Sequence, residues 1–349
     1  MKNLLYIFSS IGPVGAPRTR MNSFREIFLE RKHFVLDGKE CNWRDLVNLP
    51  KINIAYVETS TNRAPFLDIL RLLFLRFRSK VVVIYVRDVY VEFFSSEYRS
   101  VRGRVTSFFN EGSYYFYTVI SDFLAFPTMD MGRYFYEQNK FFVKKSFFDL
   151  APGTRQERPR ALGPSFNRAI GILYLGGVSY QNSGFSFFIE FIKKKWGEYN
   201  FFILSKDKKL PDFISDNGLE GKVCVDFVRR ESLLDFIELN NIAFGIHTRP
   251  RNGYDDMTYP IKVLDFISMG LPFFTDKHSP LVKTLGEDYP LFCDVTNYKS
   301  VSKLLEAFSN SDSYGRLQKL LNEISRANLY EERYEKLVRI ASGRSGLVV

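Results

Sequence analysis

Six charged side chains gather between residues 249 and 265: Arg249, Arg251, Asp255, Asp256, Lys262 and Asp265. Pro260 stands just ahead of Lys262, where proline favours the first turn of a helix. Lys262 therefore falls at a helix N-terminus, beside backbone N–H groups near Val263 and Leu264. A helix dipole with orphan N–H groups and cations is chemistry for an anion. Lys206, in a basic loop with Lys208 and Lys209, can add to it. A second set, Arg87-Asp88, closes an apolar run, where open α/β sheets place their sites. A structural ion pair is the equal alternative there. His247 ends another apolar run, and a solvent-facing strand end is its plainer reading. The three histidines, His33, His247 and His278, show no zinc spacing, and no Asp-x-Asp occurs. No metal site is expected.

The elements that must hold these residues follow from periodicity. Residues 242–246 form a buried strand, a polar loop follows, and Ile261, Leu264, Phe266 and Ile267 repeat at helical spacing until Gly270 stops the helix. Residues 271–275 make another short strand, followed by a loop with Asp276, Lys277, His278 and Ser279. Earlier, strands are expected over 4–8, 52–57 and 80–86, and helices over 18–31 and 65–78. A helix over 114–124, a strand over 125–128 and a short helix over 131–139 complete the first half. Gly12 and Gly15 lie in a Gly/Pro-rich loop that could bring backbone near a ligand. That loop lacks Gly-x-Gly-x-x-Gly, so an ordinary strand-to-helix turn is the alternative. The segment 155–168 is charged and proline-containing and reads as a linker. A new series follows: strands over 169–175, 199–204 and 223–227, and helices over 185–195, 212–217 and 231–239. Helices over 300–310 and about 314–340 close the chain. Strands alternating with helices imply parallel sheets. Two such series give two doubly wound, Rossmann-like α/β domains with a cleft between them.

Composition narrows the class. Of 349 residues, 45% are hydrophobic and 25% charged, which is globular. The net charge of +10 predicts an anionic partner: a nucleotide phosphate, a membrane surface or nucleic acid. No nucleic-acid-binding motif accompanies the charge, so nucleic acid is the weakest of these. The helix over 65–78 is basic and strongly apolar and would suit peripheral contact with an anionic membrane, although a core-facing stripe is the plainer reading. Cys41, Cys224 and Cys293 are scattered and odd in number, which predicts a reducing, cytoplasmic setting, including the inner face of a membrane. The apolar run at 4–8 is too short for a signal segment.

Several segments, in order, resemble the GT-B glycosyltransferases, most of all the retaining group called group 1 or family four. Leu173-Tyr174-Leu175-Gly176-Gly177 resembles the strand and turn that open its donor domain. Val225-Asp226-Phe227-Val228-Arg229 is similar to the segment over the nucleobase. Tyr259-Pro260-Ile261-Lys262-Val263-Leu264-Asp265-Phe266 with Met269-Gly270-Leu271-Pro272-Phe273 resembles the helix and strand of the family's donor site. Tyr85–Tyr90, Leu150-Ala151-Pro152-Gly153 and residues 328–334 are similar to its strand end, linker and terminal helix.

The resemblance implies an acceptor domain over 1–155, a nucleotide-sugar domain over 156–325 and a helix over 326–349 packing back toward the first domain. It implies metal-independent, retaining transfer of a sugar to a glycan or lipid-linked acceptor, with the nucleotide-sugar as co-substrate and no cofactor. Lys262 then neutralises the diphosphate, helped by Arg249 and Lys206, because charge develops there as the glycosyl bond breaks. Asp265 takes the place of the ribose-binding Glu. Gly176, Gly177, Phe227, Val228, His247, Tyr259, Val263 and Leu264 join the donor site. With Lys262, Asp88 is the catalytic candidate, a first-domain base in an inverting enzyme or the group that orients the acceptor in a retaining one, and Gly12, Gly15, Arg18 and Arg87 contact the acceptor. Met257 stands where the family has another Glu. Ser179, Gln181, Asn182 and Ser183 stand where many relatives carry Arg and Lys. A non-catalytic GT-B scaffold or partner subunit, or a nucleotide-sugar epimerase of the same fold, is the alternative.

Overall fold

The computed structural model describes residues 4–8, 16–38, 40–59, 64–89, 93–157, 160, 163–179 and 182–343. The chain divides into two units. One comprises Met1–Gly153, Met257–Tyr259 and Tyr330–Val349, the other Thr154–Asp256 and Pro260–Leu329.

The first unit holds a six-stranded parallel sheet in the order β2-β1-β3-β4-β5-β6. The strands are β1 (Leu4–Phe8), β2 (Phe34–Asp37), β3 (Ile52–Glu58), β4 (Ser79–Tyr85), β5 (Phe123–Phe126) and β6 (Ser146–Asp149). Its helices are α1 (Ala16–Glu30), α2 (Trp43–Val47), α3 (Phe66–Arg78), α4 (Val101–Ile120), α5 (Met129–Gln138) and α13 (Tyr330–Ala341). One buried cluster joins Leu46, Leu72, Leu75, Tyr117 and Phe135 from α2 to α5. A second joins Phe24 and Phe28 of α1 to Tyr334 and Leu337 of α13. Central strands buried on both faces explain the unbroken apolar runs. The structure corrects two expectations here. The helix expected over 114–124 starts at Val101, because the Ser100 hydroxyl accepts the Gly103 N–H at 3.1 Å and caps it. Both edge strands, β2 and β6, escape the sequence pattern, being short and flanked by polar residues.

A buried ionic network stiffens this unit. Arg20 is 1% exposed. Its Nε donates to Glu58 at 3.0 Å, Nη1 to the Leu150 carbonyl at 3.1 Å and Nη2 to the Tyr56 hydroxyl at 2.8 Å. Its guanidinium also lies 3.9 Å from the Tyr85 ring centroid. Each charge is satisfied, as burial demands.

The second unit holds a five-stranded parallel sheet, β11-β10-β7-β8-β9. Its strands are β7 (Gly171–Leu175), β8 (Asn200–Leu204), β9 (Val223–Asp226), β10 (Ile242–His247) and β11 (Phe273–Thr275). The helices are α6 (Phe185–Lys195), α7 (Leu210–Asp216), α8 (Leu233–Leu239), α9 (Ile261–Ser268), α10 (Ser279–Leu285), α11 (Tyr298–Phe308) and α12 (Ser311–Ala327). The single helix expected over 314–340 is two, α12 and α13. Thr154 causes the break: its N–H donates to the Asn328 carbonyl at 2.8 Å and its hydroxyl to the Ser325 carbonyl at 2.6 Å. Those bonds take carbonyls that a continuing helix would use. The loop expected to hold Ser279 instead opens α10, with His278 ahead of it.

Candidate functional site

In the second unit the chain runs from β7 through β8 to β9 at one edge, then returns through β10 to β11 at the other. The connections after β7 and β10 therefore diverge. Beyond their carboxyl ends lies the crevice where open parallel sheets take ligands. Residues 176–179 follow β7 and residues 248–256 follow β10. The α6 N-terminus is held against the second loop: a Cβ on Gly184 (φ +66°) would fall 1.8 Å from the Thr248 carbonyl oxygen, and the Thr248 hydroxyl donates to the Ser183 carbonyl at 2.6 Å. Ser183, where a basic residue was looked for, is buried and serves this join.

Lys262, in the first turn of α9, reaches into the crevice. Its side chain lies so close to Gly176 that a Cβ there would be 2.3 Å from Nζ. Gly176 also has φ +151°, which side chains rarely adopt. The glycine and the lysine thus require each other. Burial lowers the Lys262 pKa from 10.5 to about 8, and Arg249 pushes the same way, against Asp265 and Asp207. Among the described residues Lys262 makes no ion pair. A partly desolvated, unpaired ammonium at a sheet's switch point is a place for an anion.

The surrounding charges are more committed than their sequence suggests. Arg249 pairs with the buried Asp255, which also accepts from Asn252 at 2.6 Å. Arg251 pairs with Asp256 at 3.1 Å, and Asp256 accepts the Ser279 N–H at 2.8 Å. These carboxylates brace the loop after β10. Asp265 accepts from Arg230 Nε at 2.5 Å, and Arg230 also meets Glu157 at 3.4 Å. Asp265 remains one helical turn from Lys262, with Arg230 fixing its orientation. Lys206 lies 4.1 Å from the centroid of the half-exposed Phe227 ring, a cation–π pair at the ends of β8 and β9. Val228 follows it, partly exposed. Val263 and Leu264 are buried core residues, and the Val263 N–H donates to the Pro260 carbonyl at 3.0 Å. Gly177 accepts the Tyr174 hydroxyl at 2.7 Å.

Asp207 was missed by sequence reasoning. Its Oδ2 accepts the N–H groups of Val178 (2.9 Å) and Ser179 (2.8 Å) and the Ser179 hydroxyl (2.7 Å). The Ser179 hydroxyl bond, with those amides, holds its pKa down to about 2. The loop after β7 thus folds around an internal carboxylate. Nothing in sequence joins a loop aspartate to amides so far upstream. Arg230 was missed too, although it follows the Phe227-Val228-Arg229 segment directly.

His247 sits beneath this group. Its Nδ1 lies 3.3 Å from the Thr275 hydroxyl, and its ring is 5.6 Å from that of His278. Burial holds its pKa well below the usual value, with His278, Arg249 and Lys262 adding to the effect, so it is neutral at pH 7. The fully buried His278 shares a hydrogen bond with the Arg249 carbonyl through Nε2 at 3.0 Å. Among the described residues no group of His, Cys, Asp and Glu is placed to hold a metal.

The remaining candidates belong to the first unit. Arg18 is exposed near the start of α1. Arg87 donates to the Thr59 carbonyl at 3.3 Å, and the Asp88 carbonyl accepts the Tyr114 hydroxyl at 2.6 Å. Tyr259 also lies in this unit. Met257, beside it, packs against the first unit's core, and its carbonyl accepts the Thr128 hydroxyl. An apolar residue at 257 therefore has a packing reason. Gly12 and Gly15 lie outside the described residues.

No family model matches the chain, and no curated protein matches it in sequence. Solved structures do match in fold. An α-glucosyltransferase bound to UDP and a 13-mer DNA containing a HMU base aligns at TM-score 0.67 and 13% identity, over 98% of this chain and 100% of that one. Trehalose-6-phosphate synthase from E. coli, bound with UDP-2-fluoro glucose, aligns at TM-score 0.63 and 9% identity, over the whole of both chains. The pneumococcal O-GlcNAc transferase GtfA, with UDP and GlcNAc, aligns at 0.59 and 12% identity, over 85% of this chain and 58% of that one. Two parallel sheets in two units, with GT-B glycosyltransferases among the matching structures, give this chain the GT-B fold.

Proposed function

We propose that the chain is a glycosyltransferase whose second unit binds a nucleotide-sugar at the crevice between β7 and β10. Lys262 carries the proposal: a half-buried, unpaired ammonium set against Gly176. The diphosphate of a nucleotide-sugar would supply the missing anion. As the glycosyl bond breaks, negative charge grows on the leaving phosphate, and a preorganised cation there favours that change over the ground state. Arg249 adds field from the loop after β10. Asp265, held by Arg230, would accept hydrogen bonds from ribose hydroxyls, and Phe227 with Lys206 would offer a ring for the base. Val263 and Leu264 would contribute no side chain to the donor.

Because several GT-B neighbours hold UDP or a UDP-sugar analogue, uridine diphosphate donors are the first to try. A cationic diphosphate site supports transfer without a metal, and retention is the outcome that the resemblance to the retaining GT-B group implies. The donor phosphate would then take the acceptor's proton, with Asp88 and Arg87 left to contact a glycan or lipid-linked acceptor. Melting with UDP-, GDP-, ADP- and TDP-sugars tests the donor reading. One nucleotide should raise the melting temperature saturably, by about 2.7 kcal/mol of stability at a hundredfold excess over Kd. No shift with any of them would sink the proposal. Labelled sugar from the active donor, offered to lipid-linked glycans and to DNA, then sorts the acceptors.

A further inference from the structure

Two neighbouring helices of the first unit carry large apolar side chains on their outer as well as their inner sides. Along α4 the buried side carries Gly103, Asn110, Ser113 and Thr118 beside Tyr114 and Tyr117. The outward side carries Val101, Val105, Phe108, Phe109, Tyr115 and Val119, with Phe108 72% exposed. On α3 the buried side holds Leu72 and Leu75 together with Asp68 and Arg71, paired at 3.2 Å, while Phe66, Leu73 and Phe77 face out, Phe77 87% exposed. A water-exposed helix turns charged and polar side chains to its outer face instead. The helices are joined: the Ala64 N–H, just before α3, donates to the Ser113 hydroxyl of α4 at 2.8 Å. Both feed the same buried cluster, so their apolar stripes lie on the same side of the sheet. So many large apolar side chains exposed on one side of a sheet exceed the singly scattered ones that a soluble surface carries.

We propose that this α3–α4 face docks on an anionic lipid bilayer. Arg102 and Arg104 flank the α4 stripe on its two sides, are exposed, and pair with nothing among the described residues. The same helix offers one acidic residue, Glu111, and the chain carries +10 overall. Bulky aromatic side chains with arginines at the rim suit the acyl–headgroup boundary of an anionic leaflet. A second copy of the chain would bring the same arginines together with little negative charge to meet them. The docking face belongs to the first unit and the donor crevice to the second, so either reading can fail alone.

Flotation with phosphatidylcholine vesicles, with and without phosphatidylglycerol, tests the face. The full chain should float with the anionic vesicles. Phe77→Ser with Phe108→Ser should weaken that binding roughly a hundredfold, since each buried phenyl contributes at least about a factor of ten. Arg102→Gln with Arg104→Gln should weaken it and flatten its salt dependence. Both pairs alter exposed side chains, so melting temperatures should hold, and they certify the fold of each variant. Absence of wild-type flotation, or unchanged flotation of the serine pair, overturns the proposal. So does sedimentation showing a wild-type dimer that the serine pair dissolves, which would make the face a contact between copies.

Discussion

Replacing Lys262 with methionine should make the unliganded protein more stable while removing its response to nucleotide. The ammonium is half-buried and makes no ion pair among the described residues, and its pKa falls from 10.5 to about 8. That fall corresponds to at most roughly 3 kcal/mol held against the charged form at neutral pH. Solvent reaching the side chain reduces the recoverable part to about 1–2 kcal/mol. Methionine keeps the stem that lies over Gly176 and removes only the charge. A domain of this size shifts its melting temperature by about 2–4 °C per kcal/mol, so a rise of several degrees is expected at pH 7. The sign with pH follows from the lowered pKa. Between about pH 8 and 10.5 the unfolded chain binds the proton that the folded chain has released. Wild-type stability therefore rises across that window, and the variant's advantage, full below pH 8, shrinks through it. Melts from pH 7 to 10.5, with and without UDP, measure this. A variant no more stable than wild type at pH 7, or one that UDP still stabilises, would refute the role given to Lys262.

Gly176→Ala should displace the Lys262 ammonium and strain the backbone, costing about 1–3 kcal/mol and weakening nucleotide binding; calorimetric melts and titration read both. Asp207→Asn should loosen the loop after β7 by about 1 kcal/mol at neutral pH. The wild-type contribution is present above pH 3.8 and lost as the pH falls toward about 2, so the variant should lose less stability in acid titration over that range. Arg20→Met leaves the buried Glu58 without its cation and should cost about 3–5 kcal/mol in denaturant melts, while adding Glu58→Leu should recover much of it.

The sequence made the central strands plain, because β1, β3, β4, β7 and β10 are buried on both faces and read as apolar runs. Edge strands β2 and β6 carry no such run. The helix stripe of α3 was correctly periodic, yet Phe66, Leu73 and Phe77 of that stripe face out, because periodicity finds a face without saying which way it points. At the site, Lys262 was legible from Pro260 and helical spacing. Its approach to Gly176 was not, since that contact depends on how α9 leans over the end of β7. Asp207, Arg230 and the Arg249–Asp255 pair are tertiary arrangements, closed only when separate loops meet. Met257 looked like a lost carboxylate; its packing against the first unit's core supplies a different reason for its side chain.

The central claim is that a nucleotide diphosphate meets the Lys262 ammonium. Titration calorimetry of UDP at pH 8, repeated in buffers of different ionisation enthalpy, tests it directly. Lys262 is about half protonated there, and a bound diphosphate would hold it fully charged, so about half a proton should be taken up per UDP bound. Lys262→Met should show none. Proton uptake by wild type, absent in the variant, is the predicted result; no binding of UDP or of any other nucleotide diphosphate, or equal uptake by both proteins, would contradict the account.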